Sequence, residues 1–110
     1  MADETIQMAH GAGGQMGHTL MEEYILPALG NPILSGLHDG AVLPTTGAVA
    51  FTTDSFVVQP LFFPGGSIGR IAVCGTVNDL AMTGAVPRYL SLALILEEGF
   101  PLADLRRVLA

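Results

Sequence analysis

The sequence predicts an α/β domain, and three stretches carry that prediction. The run GAVAFTTDSFVVQP is β-branched and aromatic with partial alternation, and reads as a strand around residues 47–59. The apolar stretch between Ser67 and Met82 reads as a long helix. PRYLSLALILEE, residues 87–98, reads as a strand with too few polar residues for an exposed face, so both of its faces are expected to be covered.

The remaining elements follow in chain order. AHGAGGQMGH is a glycine-rich turn in which Gly13 and Gly14 can take backbone angles that other residues avoid. After it Met16, Leu20, Tyr24 and Leu26 recur at helical spacing as far as Pro27 and Gly30. GNPILSGLHDG, residues 30–40, is rich in turn formers and reads as a loop. LFFPGG is a second turn. Ser67 is placed to cap the long helix, and Gly84 to end it. Pro101 opens a last helix with Leu102, Leu105, Val108 and Leu109 on one side. That helix reaches Ala110 without a cap or a closing turn, so residues 1–110 are expected to form one domain that is incomplete at its C-terminal end.

Composition narrows the function. Half of the residues are hydrophobic and 13% are charged, against the ~25% charged usual in soluble domains. No apolar run reaches the ~20 residues of a membrane span, so a subunit interface or a missing domain is the expected home for the surplus. The acidic, polar start MADETIQM is unlike a secretory or mitochondrial leader, and a single cysteine, Cys74, cannot close an internal disulfide. A reducing cytoplasm is the expected location. Ten acids against four arginines and no lysine, net −6, argue against a nucleic-acid partner. Without lysine there is no Walker-type phosphate loop either.

Most of the acids read as solvated: Glu22 and Glu23 on a helix face, Glu97 and Glu98 at a strand end, Asp104 in a first helical turn. Three stand apart. Asp39 lies in HDGAVL before an apolar stretch, Asp54 in TTDSF within a strand, and Asp79, beside Asn78, in the middle of the apolar helix. An unpaired carboxylate buried there would cost several kcal/mol. Carboxylates on an otherwise uncharged framework suit Mg²⁺, which takes one or two of them and bridges to phosphate oxygens. The alternative is that Asp79 pairs with Arg70 or Arg88 and that Asp39 merely starts a turn. The glycine segment likewise reads either as a tight turn or as a row of amides that holds an anion without side-chain charge. Together the two features fit a nucleotide. His10 lies beside the glycines; His18 reads as a helix-face residue, and Cys74 as a small buried one.

AHGAGGQ, DGAVL and the continuous stretch from FTTDSFVVQPLFFPGG to PRYLSLALILEEG resemble the HypE family of hydrogenase-maturation carbamoyl dehydratases, within the aminoimidazole ribonucleotide synthetase superfamily. The resemblance covers nearly the whole chain. It implies a mixed sheet packed by helices, in which strands of two subunits close a shared barrel in a homodimer. It also implies that the aspartates matching Asp39, Asp54 and Asp79 hold Mg²⁺ against the phosphates of ATP. Asn78 falls in the matching Asn-Asp pair, and His10, Gly11, Gly13 and Gly14 in the flexible lid near the phosphates. By the same resemblance the reaction dehydrates a thiocarboxamide on a C-terminal cysteine to a thiocyanate, the cyanide donor for [NiFe] hydrogenase. The carbamoyltransferase HypF and the HypC–HypD scaffold are its implied partners.

Cys74 is not the family's tail cysteine. The family's later Gly-Asp-Thr segment, second domain and tail have no match here, so the 110 residues alone are expected to be inactive and the catalytic base is unassigned. Two other readings stay open. One is a sibling ATP enzyme of the selenophosphate synthetase or thiamine-monophosphate kinase type, although MAHGAGG lacks the reactive Cys and Lys of the former. The other is a non-catalytic dimerisation module.

Overall fold

The computed structural model describes residues 4–110, which divide into two compact units. The first joins residues up to Pro44 with Leu94–Ala110; the second is Thr45–Ala93.

In the first unit the chain passes from a 3₁₀ turn, Met8–Ala12, into α1, Gln15–Leu20. A π turn over Met21–Ile25 and the short α2, Leu26–Leu29, continue the same helical path. The expected helix therefore runs past Pro27, and the π turn is how it does so. Proline has no N–H to give to the carbonyl four residues back, which frees the Glu23 oxygen. The Arg106 guanidinium donates a long hydrogen bond to that oxygen, at 3.5 Å, and lies 4.4 Å from the centre of the Tyr24 ring. Residues 32–36 form turns, as their composition predicts.

α4, Leu102–Leu109, starts after Pro101 as expected. Its apolar side supplies Leu102 and Leu105, which with Ile6 form a buried core. Leu20, Tyr24, Ile25, Leu96 and Phe100 pack around them. The N-terminal segment is fastened to the start of α4 through backbone bonds: Ile6 N–H to Phe100 O at 2.7 Å, Gly99 N–H to Ile6 O at 2.7 Å, and Leu102 N–H to Glu4 O at 3.0 Å.

The second unit is built on α3, Ile68–Met82. The Ser67 hydroxyl accepts the Arg70 N–H at 3.3 Å, and the chain leaves the helix through Gly84 at φ +81, in the left-handed region. Both ends are where the sequence puts them. Ahead of α3, β1 (Phe62–Phe63) and β2 (Gly66–Ser67) pair antiparallel in a two-stranded hairpin, within the segment expected to be only a turn.

The two longer strands expected at 47–59 and 87–98 are not formed as ladders in the described chain. The first keeps part of the alternation of a strand: Thr52, Phe56 and Val58 are half-buried and Phe51, Thr53, Ser55 and Val57 are exposed, with Asp54, also exposed, interrupting the pattern. A strand is completed by the hydrogen bonds of a neighbour, and neither segment finds one among the described residues. Residues 87–95 are likewise all exposed rather than covered on both faces.

Candidate nucleotide and metal site

The glycine segment hangs from the fastened N-terminus. Gln7 N–H donates to His10 Nδ1 at 2.8 Å, and His10 N–H returns a bond to Gln7 O at 2.9 Å. An Nδ1 that accepts leaves the ring proton of neutral His10 on Nε2. Gly13 takes φ +76, a left-handed angle open to glycine at little cost, and Gly14 caps α1 without a side chain. A Cβ on Gly11, Gly13 or Gly14 would meet nothing within 4 Å, so the segment presents open backbone. An open cleft of about 350 Å³ lies beside it, lined by Gln7, Met8, His10, Gly11, Leu20 and Glu98 among others.

Gly17 is a residue that sequence reasoning passes over. A Cβ there would stand 2.9 Å from the His10 carbonyl oxygen, so the missing side chain lets α1 close on the glycine segment. The only hint was a further glycine in GAGGQMG. His18 is on a helix face as expected, 3.1 Å from Glu22 and solvent-exposed.

Asp39 belongs to the same unit and sits exposed in a bend. Asp54, Asn78 and Asp79 belong to the other, and all three are exposed. Asp54 Oδ1 accepts the N–H of Ser55 at 2.7 Å, and among the described residues Oδ2 forms no ion pair. The expectation of a carboxylate stranded among apolar neighbours is corrected here. α3 is apolar on most sides, but its Asn78–Asp79 side faces outward, and no desolvation cost arises in the described chain. Among the described residues neither Arg70 nor Arg88 forms an ion pair with Asp79. Cys74 is exposed, not buried, because the side of α3 that carries it and Val73 is uncovered.

The donor set suits a hard cation. Asp54 and Asp79 offer carboxylate oxygens, and among the described residues neither forms an ion pair with a cationic side chain. Among the described residues no three His, Cys, Asp or Glu side chains gather as a protein-only metal cage. Mg²⁺ does not call for one, since water and phosphate complete its octahedron.

Residues 37–110 match the family model described as AIR synthase related protein, N-terminal domain, and the chain belongs to that family. Its relatives within the family are hydrogenase-maturation proteins. The carbamoyl dehydratase HypE of Escherichia coli K12 is 50% identical over 94% of this chain. A hydrogenase expression/formation protein of Methanocaldococcus jannaschii, itself described as putative, is 47% identical over 94%. The crystal structure of HypE in complex with ATP superposes with a TM-score of 0.92 at 50% identity, covering 96% of this chain. The chain spans about a third of these proteins: 32% of the first, 33% of the second and 31% of the crystallised one.

Proposed function

We propose that this chain is the ATP-side N-terminal part of an ATP-dependent carbamoyl dehydratase. The protein to which it belongs would convert a thiocarboxamide on its own C-terminal cysteine to the thiocyanate that supplies cyanide to [NiFe] hydrogenase. The likeness to a HypE that binds ATP, at half the residues and a TM-score of 0.92, carries the reading. Two carboxylates without an ion pair among the described residues, and an open glycine segment, support it.

Each part has a chemical task. An amide oxygen leaves poorly. Transfer of the γ-phosphoryl of ATP to it makes phosphate the leaving group, and loss of the N–H protons then gives the C≡N bond. Mg²⁺, when bound, would offset the charge spread over the transferred phosphoryl group. Asp54 and Asp79 would hold that ion, with Asp39 as the third carboxylate. The amides from Gly11 to Gly14 would lie against the phosphates, His10 would donate through Nε2–H, and Asn78 would offer its side-chain amide next to Asp79. The 110 residues contain no match to the family's tail cysteine, so by themselves they would not turn over thiocarboxamide.

The proposed protein works as a homodimer in the cytoplasm, receiving its carbamoyl group from HypF and delivering to the HypC–HypD scaffold. Exposed apolar side chains in the unpaired segment, Phe51 at 83% and Val57 at 95%, support a second copy as the cover.

Asp54→Asn tests the reading by isothermal titration. The substitution keeps the shape and removes the charge, so Mg²⁺-dependent ATP binding should weaken about 10- to 100-fold with the circular dichroism unchanged. Loss of the fold would make Asp54 structural, and unchanged binding would leave it no part in holding the ion; either result sinks the assignment.

A further inference from the structure

Gly75 lies in the middle of α3, where glycine is unfavourable by roughly 1 kcal/mol against alanine. A Cβ there would stand 2.9 Å from Phe56 Cζ and 3.0 Å from Cε1. The Phe56 ring thus lies close over the helix backbone, and a methyl group at Gly75 would fit only if the ring shifted.

A second anchor gives the direction of the chain. Ile68 N–H donates to Leu61 O at 2.9 Å, at the first residue of α3. Leu61 is therefore level with the start of the helix and Phe56 with Gly75, about 10 Å further along at 1.5 Å per residue. The segment and the helix run antiparallel. Two residues before Phe56 comes Asp54, up to about 7 Å onward. Four residues after Gly75 comes Asp79, about 6 Å onward on the same helix face. In an extended segment side chains two residues apart leave on the same side, so Asp54, itself exposed, shares a side with the half-buried Thr52, Phe56 and Val58.

The geometry points to the Phe56–Gly75 contact as the spacer that sets the Asp54 and Asp79 carboxylates at a common level and separation for one divalent cation. Phe56 and Gly75 are positioning residues: neither brings an oxygen to the ion, and both fix how far apart the two carboxylates stand. The inference rests on the proposed Mg²⁺–ATP function and deepens it. It also accounts for a helix-weakening glycine in α3 where no turn is made.

The test is a Mg²⁺ titration of ATP binding by the full chain, with Mn²⁺ binding followed by electron paramagnetic resonance as a readout independent of turnover. Gly75→Ala should displace the ring and raise the Mg²⁺ needed for half-saturation about 10- to 100-fold, with circular dichroism unchanged. Phe56→Leu combined with Gly75→Ala makes room for the methyl group and should recover most of that loss. If Gly75→Ala does not fold, Phe56→Ala opens the same contact without crowding and should weaken Mn²⁺ binding in the same direction. Unchanged metal affinity in the folded single variants, or a double variant no better than Gly75→Ala, overturns the spacer. A wild-type chain that binds ATP with no response to Mg²⁺ overturns the proposed function and the spacer with it, a failure visible before any substitution is made.

Discussion

At Ser67 a single hydroxyl meets one of the free N–H groups that begin α3. Ser67→Ala removes that acceptor and should lower stability by about 1 kcal/mol, read as a shift of the urea midpoint with an unchanged slope. Tyr24 has a different leverage. Its phenol donates to Glu4 Oε2 at 3.1 Å. Burial first, then this bond and the Glu4 charge, hold its pKa above the ordinary 10.0, against a smaller lowering by Arg106. A folded-state pKa above the unfolded one stabilises the fold while the phenol keeps its proton. That contribution is complete below pH ~10 and disappears as the pH rises through the folded value. Ultraviolet difference titration should therefore place Tyr24 above the unfolded chain's tyrosines. Tyr24→Phe should flatten the alkaline loss of stability, and an equally steep loss in that variant would assign it to other groups.

Among the elements, α4 bears most on the first unit, since Leu105 is 1% exposed and sits between Ile6 and the π turn's Tyr24 and Ile25. Leu105→Ala should cost about 2–5 kcal/mol. Hydrogen exchange should then quicken at Ile6 and Gly99, whose bonds depend on that packing. The helices were legible because their signals are local: Ser67 and Gly84 bracket α3, and Pro101 opens α4. The π turn was not, because Pro27 announces a break and only Arg106, 79 residues on, supplies the group that takes the freed carbonyl. The strand expected at 47–59 forms no ladder among the described residues and keeps only part of its alternation, since the other half of a ladder is not local sequence. At the candidate site, the lack of lysine is what makes Asp54 and Asp79 stand out as proposed metal ligands. Gly17 and Gly75 escaped notice because glycine reads as a turn, whereas here it lets a carbonyl or a ring from elsewhere come close.

For the whole molecule, the apolar side chains left uncovered outnumber the buried ones among the described residues. The proposed homodimer should appear in sedimentation velocity as a coefficient that rises with concentration. Val57→Lys, on a fully open position, should suppress the rise without disturbing α3. A wild-type chain that sediments as a monomer throughout would remove the second copy as the cover for this surface. No helix among the described residues is long and apolar enough to cross a membrane.

The fastening of residues 4–6 to 99–102 also has a consequence in time. The second unit is continuous in sequence, and the first is interrupted by it. On a ribosome Ile6 emerges about 95 residues before Leu102, which at 5–20 residues per second is a wait of roughly 5–20 s. During that interval α3 and its hairpin have all the chain they need, while Ile6 and Leu20 have no core to join. Protease protection of stalled nascent chains should therefore appear first around residues 61–82, and at Ile6 only after α4 has cleared the exit tunnel. The glycine segment, held by that late fastening, would be the last part of the proposed nucleotide site to take shape, so a half-made chain would carry its carboxylates before it could close on a phosphate.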